Sequence, residues 1–363
     1  MPYYCVDRYF IVSINLSILK ISDLEKYDLQ KMYKIYDEWP KIARESYKSK
    51  QELINFQNID HIVFAGMGGS GAIGDIFSSI LSKSDIHVST IKGYLLPKTV
   101  DKNTLVIITS VSGNTDETLT VLHSAKKINC KIITFSSGGK MEKFCQNNGI
   151  VFRKISKFHS PRTSLINFTY TILKILNPIL PIKKQDILDS LDELDRIKKE
   201  IDSNNLSDSN PAINLAKWLS NIPIMYYPHG LQPVATRFKS SLQENAKAHV
   251  ITEDIIEACH NGIVAWENSS KVQPILLQGQ DDYIKTKERF IIIKKFFNKN
   301  NIEFKEVFSV SGNILTKMIC LMYLLDYTTI YYSILSKIDP SPVNAIDFIK
   351  KEISKNSEKL NSN

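Results

Sequence analysis

Two short stretches of this chain carry the residue types that hold a phosphate. The first, Gly66-Met67-Gly68-Gly69-Ser70-Gly71, follows an apolar run and opens a helical pattern. Glycines there let the backbone approach an anion, and a helix start offers unpaired N–H groups at the positive end of its dipole. The second, Ser110-Val111-Ser112-Gly113-Asn114-Thr115-Asp116-Glu117-Thr118, again joins a strand pattern to a helix pattern. Its hydroxyls and glycine form a neutral nest suited to a phosphate monoester. Asn114 and Glu117 have the spacing of a capping pair, which gives Glu117 a structural role. Gly66, Gly68 and Gly71 also satisfy G-x-G-x-x-G, but a dinucleotide site needs an acidic residue closing the second strand. That strand ends Ile91-Lys92-Gly93, and Asp85 lies ahead of it.

The elements that must position these loops follow from hydrophobic periodicity. Residues 61–66, 87–91, 104–109 and 131–135 read as strands, alternating with helices over 69–81 and 115–127. A helical bridge, 165–176 and 186–201, leads to a turn-rich stretch at 202–209. The same grammar then repeats: strands at 222–227, 272–277 and 303–308, helices at 234–248, 281–298 and 312–335. Strand–helix alternation implies right-handed crossovers and parallel sheets covered on both faces. The expected fold is therefore α/β, two three-layer α/β/α domains with N- and C-terminal helices. The expected divisions are an extension over 1–21, a first domain over 22–205, a second over 206–342, and a terminal helix over 343–363. Ser22-x-x-Glu25 has capping-box spacing and announces one long leading helix through Ile42.

Composition agrees with two domains: 363 residues, 43% hydrophobic and 23% charged, against roughly 150 residues per domain. Forty-six basic residues against 38 acidic give +8, with the lysines scattered, which favours anionic small molecules over nucleic acid. Five cysteines with no CxxC pair point to a reducing, cytoplasmic setting rather than a disulfide framework. The most apolar window, 319–325, is too short to span a bilayer. Residues 10–19 are apolar but lack the basic flank and small-residue cleavage site of a signal peptide. His123, His159, His229 and His249 show no metal-ligand spacing.

The motifs, taken in order, resemble one family. Beyond the two loops, these are Ser136-Ser137-Gly138-Gly139-Lys140, Ser160-Pro161-Arg162, Gln243-Glu244-Asn245-Ala246-Lys247, Glu257-Ala258-Cys259-His260-Asn261 and Ile346-Asp347-Phe348-Ile349-Lys350. Over about 25–357 the chain resembles the archaeal-type bifunctional phosphoglucose/phosphomannose isomerases, which are built of sugar isomerase (SIS) domains. Alone, Glu244 reads as a surface helix glutamate, Arg162 as a helix-start arginine, and Lys350 as one of several solvated lysines. The resemblance implies a phosphate cradle of Gly68, Gly69, Ser70, Ser110, Ser112 and Thr115. It further implies that Arg162 stabilises an enediolate, Glu244 moves the proton, and His260 and Lys350 serve ring opening. It also implies hexose 6-phosphate substrates, no metal or organic cofactor, and a homodimer in which His260 crosses the interface. Val111, Cys259 and Val343 depart from the family pattern at positions expected to line the pocket. A SIS-domain regulator without catalysis would need a DNA-binding head before residue 57, where one helix is evident; an isomerase of another phosphosugar is the nearer alternative.

Overall fold

The computed structural model describes residues 19–361, so residues 1–18 of the expected extension, with Cys5 and most of the 10–19 stretch, lie outside the described residues. Three short helices, α1 (Ile21–Tyr27), α2 (Met32–Asp37) and α3 (Trp39–Tyr47), stand where one long helix was expected. The Asp28 carboxylate accepts the Tyr33 N–H at 2.8 Å, and Lys31 takes a left-handed φ of 57°, so the chain turns before α2. The Ser22 capping box is also replaced. Ser22 lies inside α1, and Asp23 accepts the Lys20 N–H at 2.9 Å.

The first sheet is built from β1 (His61–Ala65), α4 (Gly69–Leu81), β2 (His87–Ile91), β3 (Thr104–Ser110), α5 (Asp116–Lys126), β4 (Lys131–Ser136), α6 (Gly139–Asn148) and β5 (Val151–Lys154). Its order is β2-β1-β3-β4-β5, and every pairing is parallel. Strands β1 and β3 are buried along their whole length, as parallel strands covered on both faces must be. Helices α7 (Leu165–Ile175), α8 (Lys184–Ile201) and α9 (Pro211–Trp218) form the bridge.

The second sheet follows with β6 (Ile222–Tyr227), α10 (Gln232–Ala246), β7 (Ile251–Asp254), α11 (Ile255–Ala258), β8 (Val272–Gln278), α12 (Ile284–Lys299) and β9 (Lys305–Phe308). Its order is β7-β6-β8-β9, again all parallel. The chain closes with α13 (Ile314–Leu335) and α14 (Asn344–Asn361).

Between the sheets, α13 packs against α8, α9 and α10. It is long and apolar enough to cross a membrane by length and composition, yet 83% of its apolar window is buried inside the protein. One continuous core joins Ile62 and Leu105 of the first sheet to Met225 and Ile275 of the second. Each fully buried aliphatic side chain of this kind contributes about 1.5–3 kcal/mol. Tyrosines on α13 tie the leading helices down: the Tyr323 hydroxyl donates to the Tyr36 carbonyl at 2.7 Å, and the Tyr327 hydroxyl to the Asp37 carboxylate. This central helix is the beam from which the site is hung.

Candidate active site

The two loops of the first sheet meet as the sequence expects, at the carboxyl ends of β1 and β3. That is the edge where open parallel sheets bind ligands. The Ser70 hydroxyl accepts the Val111 N–H at 3.2 Å. The Thr109 hydroxyl donates to the Ser70 carbonyl at 3.1 Å. Ser110 Oγ accepts the Gly113 N–H at 3.1 Å and lies 3.1 Å from Thr115 Oγ1, while Ser112 is exposed and accepts the Asn114 N–H at 3.2 Å. Gly113 requires its glycine: φ is 67°, and an added Cβ would overlap the Gly138 carbonyl and the Ser136 hydroxyl.

A third loop, after β4, braces the second. The Ser137 hydroxyl donates to the Val111 carbonyl at 2.6 Å, and the Lys140 N–H donates to Asn114 Oδ1 at 2.9 Å. Asn114 therefore does not cap α5 with Glu117 as expected; the cap position is Thr115, and the Asn114 side chain serves the neighbouring loop. The Val111 side chain is buried in the core. Lys92, just after β2, pairs with Asp75 of α4 at 2.5 Å.

Beside the cradle lies a charged pair. A Cβ added at Gly69 would stand 3.0 Å from the Pro161 carbonyl, so the 160–162 segment runs directly against the start of α4. Arg162 follows and is only 3% exposed. Its Nη1 lies 3.4 Å from Glu244 Oε2, and its Nη2 donates to the Ser341 carbonyl at 3.0 Å. Arg162 Nε and Nη1 are buried without a hydrogen-bond partner. A buried guanidinium with donors to spare can take a further acceptor, because stranded charged donors are costly. Glu244, on α10, keeps 26% of its side chain exposed, so it faces solvent on one side and Arg162 on the other.

Why α10 holds Glu244 there follows from its buried face. Arg237 Nη2 pairs with Asp326 of α13 at 2.7 Å and also donates to the Arg162 carbonyl at 2.7 Å. Ser241 donates to Asp326 at 2.7 Å, and Asn245 to Thr329 at 2.8 Å. Helix α10 also packs on α4. The helix stops at Lys247, which takes φ 56° and whose ammonium donates to the Glu244 and Asp339 carbonyls at 3.0 and 2.9 Å. Burial and the Arg162 charge lower the pKa of Lys247, with Asp339 and Glu244 opposing.

His260 and Lys350 both occupy exposed positions, His260 after α11 and Lys350 on α14. The His260 imidazole makes no hydrogen bond with the described residues. The chain thus brings together the glycine loop, Arg162 and Glu244. Cys259 is half-buried, with its thiol directed to the Ile255 carbonyl at 3.2 Å. Among the described residues no three His, Cys, Asp or Glu side chains group as metal ligands. Sequence reasoning missed Ser341 and His159 as neighbours of the site, and gave Lys247 no role beyond its place in the motif of Glu244; for Ser341 only the paired prolines around it hinted at a fixed turn.

Comparison with known proteins matches both halves of the chain. Residues 55–176 match the SIS domain, and residues 208–353 match the bacterial phospho-glucose isomerase C-terminal SIS domain. A bifunctional phosphoglucose/phosphomannose isomerase from Caldicellulosiruptor bescii is 29% identical over 314 residues, 83% of this chain and 91% of that one. The protein of the same name from Aquifex aeolicus is 28% identical over 340 residues, 91% of this chain and all of the relative. Among solved structures, a hypothetical protein from Thermus thermophilus shares the fold with a TM-score of 0.70, at 13% identity and 92% coverage of both chains.

Proposed function

The chain belongs to the SIS-domain family of bifunctional phosphoglucose/phosphomannose isomerases, and from that premise we propose that it interconverts glucose 6-phosphate and mannose 6-phosphate with fructose 6-phosphate. It is an intramolecular oxidoreductase acting on a phosphosugar. The observation that carries the site assignment is the buried Arg162 guanidinium, 3.4 Å from Glu244 and with unused donors, beside the glycine loop.

The 6-phosphate sits among Gly68, Gly69, Ser70, Ser110, Ser112 and Thr115, where α4 and α5 begin. Once the ring is open, the Glu244 carboxylate takes the C2 proton of the aldose and returns it to C1, while the O2 proton leaves and O1 gains one. A single carboxylate serves both transfers when both carbons lie within its reach. The enediolate charge grows next to Arg162, which stabilises it most in the transition state. Glucose and mannose phosphates differ only at C2, which becomes planar, so both enter the same enediol.

Ring opening needs an acid–base group that exchanges protons near neutral pH, and His260 and Lys350 fill this role. His260 is exposed on the segment after α11, which fits a homodimer in which it reaches the neighbouring site. Cytoplasmic placement fits hexose phosphates as substrates. A regulator without catalysis would have no use for the paired Glu244 and Arg162.

The deciding experiment is a coupled assay with each of the three hexose phosphates in EDTA. Turnover of all three is expected; no turnover of any would overturn the reading. Mixing Glu244→Gln and His260→Ala chains under subunit exchange should then restore roughly a quarter of native activity per site, by the symmetry of an isologous dimer. Recovery no larger than the sum of the two variants would put His260 in its own chain's site or outside catalysis.

A further inference from the structure

Four buried side-chain atoms without a hydrogen-bond partner fall in one short segment: His159 Nδ1, Ser160 Oγ, and Nε and Nη1 of Arg162. The two atoms of Arg162 face the reaction site. His159 does something else: it leans on the strap between α13 and α14. Its Nε2 lies 3.3 Å from Ser341 Oγ, while the carbonyl of the same Ser341 accepts Arg162 Nη2 at 3.0 Å. Pro340 and Pro342 flank Ser341 and restrict its backbone. Lys247 holds the strap one step upstream, through the Asp339 carbonyl at 2.9 Å. One residue of the strap thus meets the imidazole through its hydroxyl and the guanidinium through its carbonyl.

We propose that His159 is a positioning residue for the isomerisation: acting through Ser341, it sets the orientation in which Arg162 meets the charge that develops on the sugar. The role rests on the isomerase reading given above. Its physical basis is a competition for one guanidinium. Arg162 has two acceptors within the protein, the Ser341 carbonyl and the Glu244 carboxylate. When Ser341 is held, Nη2 is committed to it, Nη1 rests 3.4 Å from Glu244 Oε2 without a hydrogen bond, and Nε is left for the substrate. When Ser341 drifts, the guanidinium closes on Glu244 as a tight ion pair. That pair removes donors from the enediolate and lowers the basicity of the carboxylate that must take the proton.

The state of the imidazole supports this. Burial, Arg162 and Lys157 lower the His159 pKa from 6.5, and Asp339 alone opposes them, so the ring is neutral near pH 7. Assigned from the hydrogen-bond network, the proton sits on Nε2 and is donated to Ser341 Oγ, because the other tautomer strands a buried N–H at Nδ1. The bare Nδ1 lone pair then lies in the field of the neighbouring cations.

The test is kinetic, with turnover of the unaltered chain measured alongside. His159→Ala should lower kcat roughly 10–100-fold and leave KM within about twofold, since the phosphate cradle is untouched and only orientation is lost. Ser341→Ala should lower kcat similarly, and the double variant should be little worse than either, the signature of two residues acting as a unit. His159→Gln, whose amide reaches toward the place of Nε2, should recover most of the rate. Melting temperatures are recorded for every variant, so that loss of fold is not read as loss of position. Unchanged kcat in His159→Ala, or strictly additive losses in the double variant, would overturn the inference while the isomerase reading stands. Absence of turnover in the unaltered chain would overturn that reading and this inference together.

Discussion

The carboxyl edges of the two sheets start from the same strand–loop–helix plan and carry opposite chemistry. At the first edge, β1 and β3 lead into glycine and hydroxyl loops, stitched by the Ser70 and Thr109 hydroxyls. At the second, β6 leads through the His229–Leu231 turn into α10, and β7 ends in Glu253-Asp254. A cavity of about 460 Å³ there is lined by Tyr227, His229, Gln232, Asp254, Ile256 and Glu257. Burial, with Glu257 and Asp254 nearby, raises the Glu253 pKa, as it must where carboxylates crowd together. An anion suits the first edge and is repelled from the second. The repeated unit has thus divided its labour: one copy presents the glycine and hydroxyl loops proposed to hold the phosphate, and the other supplies the helix that carries Glu244.

That division is broken most severely at Glu244 itself. Glu244→Gln should lower kcat by about 10²–10⁴ with little change in KM, because the proton carrier goes while the cradle remains. Exchange of the C2 hydrogen with solvent deuterium is the direct measurement. Native exchange in the variant would move the base elsewhere. Next in size is the pair that hangs α10 on α13. Arg237 is 2% and Asp326 0% exposed, and Asp326→Ala leaves the guanidinium buried and unpaired, at a cost of about 3–5 kcal/mol. Denaturant unfolding measures that loss. A fall of less than about 1 kcal/mol would show that the pair does not hold the helix.

How much of this was legible before the fold was known depends on burial. Strands β1, β2 and β6 and helix α4 agree with expectation to within a residue, because buried parallel strands read as apolar runs and the glycine loop marks where α4 begins. By contrast, β5 and β7 were not expected. Val151–Lys154 and Ile251–Asp254 are short, half-exposed edge strands whose charged residues hide the period. The leading helix was expected whole and breaks at Asp28–Lys31, where the left-handed backbone falls on a lysine rather than a glycine. The glycine and hydroxyl loops were legible as types, and the structure brings them together at the carboxyl ends of β1 and β3. The approach of Arg162 to Glu244 was not, because no spacing rule links a residue before α7 to one on α10; it came from the family resemblance. Ser341 and His159 had no signal beyond two prolines, since their contact is made only when the strap folds back.

The cradle supplies the next prediction. Ser112→Ala with Thr115→Ala should raise KM for both hexose phosphates by about 10–100-fold, with a smaller loss in kcat, because the phosphate is remote from the bonds that change. Steady-state kinetics with each substrate decide it. Unchanged KM for both would place the phosphate away from the first edge and erase the contrast between the sheets.

The smallest effect is expected from the matching change at the second edge, and it sharpens the comparison most. The Asp254 side chain accepts the N–H groups of Ile256 and Glu257 at 2.8 and 3.3 Å, capping α11. Asp254→Ala removes that cap, worth about 1 kcal/mol. In a chain of 363 residues that is a fall of roughly 1–2 °C in melting temperature. Asp254→Asn keeps a capping oxygen while removing the charge, so it should melt close to the unaltered protein. Neither change should raise KM, since the proposed phosphate loops lie at the other edge and the Asp254 charge repels a phosphate. Comparing the two variants separates the two jobs of one carboxylate: a shift in melting temperature confined to Asp254→Ala reports the cap, and any change in KM shared by both reports the charge. A rise in KM in both variants comparable to that of the Ser112 and Thr115 pair would mean that the acidic edge contacts the substrate after all. The division of labour between the sheets would then fail at the point where it looks clearest.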